Sequence, residues 1–180
     1  MRAQPPAEIH GFADVQRPPL TIEQRVHAGR SRRLDTNPVA DPAPRQFAIF
    51  DDERLLDESA CELGGRMVNA EGKTGMKDVW GKRSNWVDYS GDVEGETIGI
   101  AMFDAPSNPR HPTYWHARDY GLFALDPFGQ QAFDPAQPES HWELDTGKSL
   151  RFRWRVIIHP GDAAAAHIAE LYEKWSQEKP

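Results

Sequence analysis

Residues 150–158 constrain this chain more than any other stretch: Leu150, Phe152, Trp154, Val156 and Ile158 alternate with neighbours that include Arg151, Arg153 and Arg155. A period of two places the apolar side chains on one face of a strand and the three guanidinium groups on the other. One face must pack on a core, while the other meets water or an acidic partner. The arginine row reads as a solvated face that also discourages edge pairing; its alternative is an anionic ligand or a carboxylate network. Short apolar runs separated by turn residues recur at 47–50, 78–82, 85–89, 97–103 and 120–125, the spacing of strands in a sandwich or barrel. Residues 86–103, turning at 91–96, read as one antiparallel hairpin, in which Gly99 marks a bulge or a close packing contact. After these strands Asp162 can cap a helix, and Ile168, Leu171, Tyr172 and Trp175 recur at spacings of three and four. The expected fold class is therefore all-β, an antiparallel β-sandwich on which one C-terminal α-helix docks by its apolar stripe.

Residues 1–46 have a different texture. They hold seven of the 15 prolines and seven arginines but no lysine. So little apolar surface cannot offset an ordering cost of roughly 1–2 kcal/mol per residue, which gives a disordered or irregular tail over 1–46 and a sandwich domain over 47–180. Within the tail, residues 21–33 resemble a basic helix, but Ile22 and Val26 are its only aliphatic side chains beyond alanine and Gly29 interrupts it. Twenty-one Lys and Arg against 28 Asp and Glu leave a net charge of −7. That balance argues against a nucleic-acid partner or an anionic membrane surface. No apolar run approaches the roughly 20 residues that cross a bilayer, and no signal peptide opens the chain, so the expected address is cytoplasmic. Cys61 is the single cysteine, which excludes an internal disulfide and reads as a small buried hydrophobe.

The stretch from Asp104 to Asp119 carries the chemistry-bearing residues. Three prolines stiffen it, and a loop of this length with fixed polar groups is what a binding site requires. His111, His116 and Asp119 offer two imidazoles and a carboxylate, ligand types of a zinc, copper or non-haem iron site, with His111 and His116 as the metal ligands. Alternatively His116 transfers protons while Asp119 orients it. In the plainest reading Arg118 pairs with Asp119 and the histidines bond loop carbonyls. Trp80, Trp86, Tyr114 and Trp115 stand among Lys82, Arg83, Asn108, Arg110 and Arg118, the mixture of aromatic faces and hydrogen-bonding groups with which proteins hold sugars. The same aromatics also suit a core. Four carboxylates, Asp88, Asp104, Asp119 and Asp126, lie nearby, and sequence gives no distances with which to select a glycosidase pair.

Residues 79–91, 99–104, 107–112 and 115–123, continuing through Pro127-Phe128-Gly129 and 153–162, resemble in order the PmoA-like family, catalogued as methane oxygenase. The resemblance covers residues 58–180 and implies a β-sandwich, of the mutarotase-like supersandwich type in larger members, often encoded beside sugar oxidoreductases. It also implies that the domain is incomplete on its N-terminal side. Three functions follow as expectations: carbohydrate-related binding or processing at the 108–120 loop, a metal-dependent oxygenase using His111, His116 and Asp119, or a non-catalytic truncated domain. The sequence decides neither a cofactor nor an oligomeric state.

Overall fold

The computed structural model describes residues 19–27, 32–34, 47–48, 65–138 and 142–179. Its main element is a five-stranded antiparallel sheet built from β1 (Leu20–His27), β4 (Arg66–Asn69), β5 (Trp86–Val93), β6 (Glu96–Asp104) and β10 (Ser149–Pro160), in the order β1-β10-β6-β5-β4. β5 and β6 form the expected hairpin, with Trp86 opposite Phe103 and a turn at Glu94 and Gly95. β10 lies in the middle of the sheet, paired on one side with β6 and on the other with β1. The expectation of a tail over 1–46 fails for β1. Leu20 and Ile22 alternate with Thr21 and Glu23, a period of two hidden by its polar neighbours, and Ile22 packs on the core. Cys61 and most of 1–46 lie outside the described residues.

A smaller antiparallel sheet has the order β3-β8-β7, from Phe47–Ala48, Phe123–Asp126 and Tyr114–Ala117. β2 (Arg32–Leu34) pairs with β9 (Trp142–Leu144) as a separate ribbon. The inner face of the small sheet, with Trp115, Ala117, Phe123 and Leu125, packs on Met67, Val87, Met102, Phe152, Trp154 and Val156 of the large one. These two interdigitating faces make the chain an antiparallel β-sandwich, as its patterning implied. The opposite face of the large sheet carries Trp86, Ala101, Phe103 and Ile157 and is covered by the C-terminal helix α3 (Ile168–Ser176) through Ile168, Tyr172 and Trp175. Each such fully buried side chain contributes roughly 1.5–3 kcal/mol of transfer free energy. Among the described residues no helix is long and apolar enough to cross a membrane.

Four local expectations are corrected. Residues 78–82 do not form a strand: α1 (Met76–Val79) is a single helical turn because Met76 and Val79, three apart, both reach the core. Asp162 does not cap α3. Its Oδ1 accepts the amides of Ala164 and Ala165 in a turn before the helix, which starts after His167. The arginine row is not a solvated face, since Arg153 and Arg155 lie over Trp175 at 4.8 and 5.3 Å and both pair with Glu178 at 3.1 Å. Arg151 pairs with Glu23 at 2.6 Å, so the carboxylate-network alternative describes the row. Finally, the expected long loop is interrupted by β7, whose inward Trp115 and Ala117 face Leu125 and Phe123 in register.

Candidate functional site

β7 sorts its side chains by strand alternation. Trp115 and Ala117 are buried in the sandwich, which leaves Tyr114 and His116 on the outer face of the small sheet. Residues 81–83 run beside this strand: Gly81 N–H donates to the Trp115 carbonyl at 2.8 Å, and Trp115 N–H donates to that of Lys82 at 3.1 Å. Gly81 is required there twice over, by its φ of 64° and by a Phe133 ring that would stand 3.3 Å from any Cβ. Its position sets Trp80 at one end of the outer face and Arg83 at the other. α2 (Gln130–Phe133) adds Phe133 at the centre.

Around Phe133 the rings are contiguous. Tyr114 stacks on it at 5.7 Å, while His116 and Trp80 meet it edge-on at 5.6 and 5.4 Å. The Arg118 guanidinium lies over Trp80 at 4.3 Å, and that of Arg83 over Tyr114 at 5.6 Å. Three polar atoms of this wall are buried without a hydrogen-bond partner: Trp80 Nε1, His116 Nδ1 and Arg118 Nε. Leaving such groups unpaired costs roughly 1–3 kcal/mol each, so their convergence in one place marks a surface arranged for something other than its own stability.

The titratable pair beside them is tuned in opposite directions. Burial and then the Arg118 charge lower the His116 pKa against the opposing influence of Asp126, which keeps the imidazole neutral. Burial raises the Asp126 pKa although the amides of Phe128 and Gly129 and the charge of His116 work against the shift. Phe128 N–H donates to Asp126 Oδ1 at 3.0 Å, fixing the carboxyl. A carboxyl drawn toward its protonated form near an imidazole held in its neutral form is a proton donor and acceptor available at the same pH.

Of the residues singled out from sequence, Trp80, Arg83, Tyr114, His116 and Arg118 come together on this face. Lys82 lies along its edge with an exposed side chain. The others go elsewhere. Trp115 is fully buried and its Nε1–H donates to the Ser84 carbonyl, so it is core. Trp86 is buried on the other side of the large sheet, under α3. Asn108 is a staple: its Nδ2 donates to Asp104 Oδ1 and to the Arg153 carbonyl at 2.7 and 2.8 Å, and its Oδ1 accepts the Arg153 amide at 2.7 Å. His111 Nδ1 lies 3.0 Å from Asp104 Oδ2, which also accepts the Thr113 amide. Arg110 adopts a φ of 63°, and its carbonyl accepts a bond from Arg83 Nη2 at 3.0 Å. Asp119 is exposed and contributes its backbone carbonyl to the Tyr89 hydroxyl at 2.7 Å. His111, His116 and Asp119 are thus separated, and Asp119 does not orient His116. Among the described residues no group of three or more His, Cys, Asp or Glu is placed to hold a metal ion. Sequence reasoning missed Phe133, which no pattern announced, and left Asp126 undistinguished among four carboxylates.

A cleft of about 280 Å³ lies apart from this face, lined by Arg66, Val68, Trp86, Ser90, Asp162 and Ala163 among others. Arg66 and Asp162 at its rim approach one another at 4.0 Å. Asp88, between Trp86 and Ser90 on β5, is bonded to His159 Nε2 at 2.6 Å, and both side chains are closed off from solvent. The outer face of β7 brings polar atoms that lack a partner together with contiguous rings, and it is the better candidate for a functional site.

Fold and site together define a β-sandwich protein with an aromatic, cationic face on its smaller sheet. The chain belongs to DUF6807, a family of unknown function whose model matches residues 16–173. No curated protein and no solved structure matches it.

Proposed function

We propose that this protein binds, and with the His116–Asp126 couple processes, a carbohydrate on the outer face of β7. The observation that carries the reading is the convergence of three unpartnered buried polar atoms, Trp80 Nε1, His116 Nδ1 and Arg118 Nε, with the rings of Trp80, Tyr114 and Phe133. A sugar presents what such a wall lacks: hydroxyls to accept from the indole and guanidinium nitrogens, and C–H faces to lie on rings. A neutral imidazole and a carboxyl whose pKa is raised by burial can then exchange a proton with a sugar hydroxyl. The resemblance to the PmoA-like family agrees with the sandwich and with sugar chemistry. Its oxygenase name finds no support in the separated positions of His111, His116 and Asp119.

The test is a thermal-shift screen against mono- and disaccharides, followed by calorimetric titration of the wild type, Trp80→Ala and His116→Ala. At least one sugar should raise Tm in the wild type, with the rise reduced or lost in both variants. A panel with no stabilising sugar, or variants that respond as the wild type does, would overturn the reading.

A further inference from the structure

Charge on the same face says more about the ligand. The chain carries a net −7, yet this face holds Arg83 and Arg118, with Lys82 at its margin. The Arg83 guanidinium is fixed by two carbonyls, donating from Nε to Pro112 at 2.7 Å and from Nη2 to Arg110 at 3.0 Å. Neither carbonyl neutralises it. Arg118 lies flat on Trp80 with its Nε buried and without an acceptor. Among the described residues no carboxylate stands within ion-pair distance of Arg83 or Arg118, although Arg66, Arg151, Arg153 and Arg155 each have one.

Asp126, the carboxyl whose charge acts on His116, does not compensate. The Asp126 carboxyl is occupied by the amide of Phe128 and is drawn toward its neutral form by burial. Beside the face, burial and then the Arg83 charge lower the Arg110 pKa, so the two guanidiniums repel one another across the loop. Arg83 and Arg118, two cations on one face of an acidic protein with no carboxylate among the described residues within ion-pair distance, are an arrangement that an anion completes.

We infer that the ligand of the β7 face is an acidic sugar, one bearing a carboxylate or a phosphate, with Arg118 as its principal anion partner and Arg83 the second. The inference rests on the carbohydrate reading above and narrows it. Arg118 suits the role because its planar guanidinium, held by the Trp80 ring, leaves its Nη–H groups to donate to the oxygens of a carboxylate or phosphate. Tyr114 and Phe133 are then left for the ring of the sugar.

The experiment compares glucose, glucuronate, glucose 6-phosphate, acetate and inorganic phosphate by calorimetric titration of the full chain at low and at moderate salt. Glucuronate or glucose 6-phosphate should bind at least about tenfold more tightly than glucose, the size of advantage a charge-assisted pair provides. The advantage should shrink with salt. In Arg118→Gln the ratio of charged to neutral affinity should fall toward one, and Arg118→Lys should recover only part of it. Equal binding of glucose and both acidic sugars by the wild type overturns the inference while sparing the carbohydrate reading, and needs no variant to fold. Acetate or phosphate binding as tightly as the acidic sugars supports the anion site and overturns the sugar. Binding of none of the five overturns both.

Discussion

Asn108→Ala tests whether this side chain serves a ligand, as its place in a polar loop suggests, or the fold, as its bonds indicate. Its amide closes three buried hydrogen bonds, to Asp104 Oδ1, the Arg153 carbonyl and the Arg153 amide. The Arg153 carbonyl keeps a second partner in the Ala105 amide, so its loss costs little. The Arg153 N–H loses the acceptor it has on this side, a penalty of about 1–3 kcal/mol, and the Asp104 carboxylate, 1% exposed, loses a charge-assisted bond worth about 1.5–3 kcal/mol. The sum, about 2.5–6 kcal/mol, is a large part of the roughly 5–15 kcal/mol that holds a domain folded. With a urea m-value of about 1–3 kcal/mol/M, the midpoint should fall by more than about 1 M. Asn108→Asp sharpens the test. It keeps the acceptor for Arg153 N–H but sets a carboxylate oxygen where the amide donates to Asp104 at 2.7 Å, so it should be as unstable as the alanine variant at neutral pH. Because the two carboxyls can share a proton, its stability should improve relative to wild type as pH falls into the carboxylate range. Urea melts of the three proteins at pH 7 and pH 5 decide the matter. A wild-type midpoint in Asn108→Ala, accompanied by loss of sugar binding, would refute the staple and restore Asn108 to the ligand site.

Three further outcomes follow from His159 and His116. A methyl group at Gly99 would collide with the His159 imidazole across the β6–β10 pair, so Gly99→Ala should cost about 1–3 kcal/mol by overpacking. Its effect should be less than additive with His159→Ala in urea melts, and additivity would mean that the ring is not the obstacle. Burial opposes the charge on His159, but the bond to Asp88, its negative charge and the Pro160 carbonyl outweigh that and raise the pKa above 6.5. Its stabilisation is therefore complete below about 6.5 and fades as pH rises through the folded value. His116 has the opposite sign: its lowered pKa makes stability fall as pH drops from 6.5 toward the folded value. His159→Gln should flatten the alkaline side of the stability profile between pH 6 and 9, and His116→Gln the acidic side between pH 5 and 7. Unchanged slopes in either variant would contradict the corresponding assignment.

What could be read from the sequence was periodicity long enough to outvote its surroundings. The nine-residue β6 and the twelve-residue β10 repeat their pattern often enough to fix strand, hairpin and face. The close contact expected at Gly99 is there, and its cause is the His159 ring opposite it. β7 and α1 are four residues each, and over that length Tyr-Trp-His-Ala or Met-Lys-Asp-Val distinguishes neither element from a loop nor helix from strand. The outward face of β10 was legible as arginine but not as covered, because what covers it, Trp175 of α3 and Glu178 just beyond the helix, depends on a docking position that is a tertiary fact. Trp80, Arg83, Tyr114, His116 and Arg118 could be named by residue type, although only the pairing of residues 81–83 with β7 brings them together, whereas Phe133 and Asp126 could not be separated from their surroundings. Trp115 and Asn108 failed in the other direction. Residue type made them resemble ligand contacts, and only strand alternation and backbone bonds assign them to the interior.

The two sheets divide the requirements of structure and site between them. The large sheet is sealed on both faces, by the sandwich interior and by α3, and its polar side chains on the helix side are matched with one another: Asp88 with His159, Arg153 and Arg155 with Glu178, Arg151 with Glu23. A ligand there would have to break pairs that already exist. The small sheet needs only its inner face for the core, so Trp115, Ala117, Phe123 and Leu125 anchor it while the alternating positions are free of packing duty. Rigid strands thereby present Tyr114 and His116 at fixed spacing, and residues 80–83 are tied to β7 by backbone bonds that hold Trp80 and Arg83 in line with them. Preorganisation of this kind is what lets unpaired nitrogens persist without collapsing onto each other. It also explains why core substitutions such as Trp115→Ala cannot distinguish binding from folding, and why Trp80, His116 and Arg118 are the positions where function can be perturbed alone.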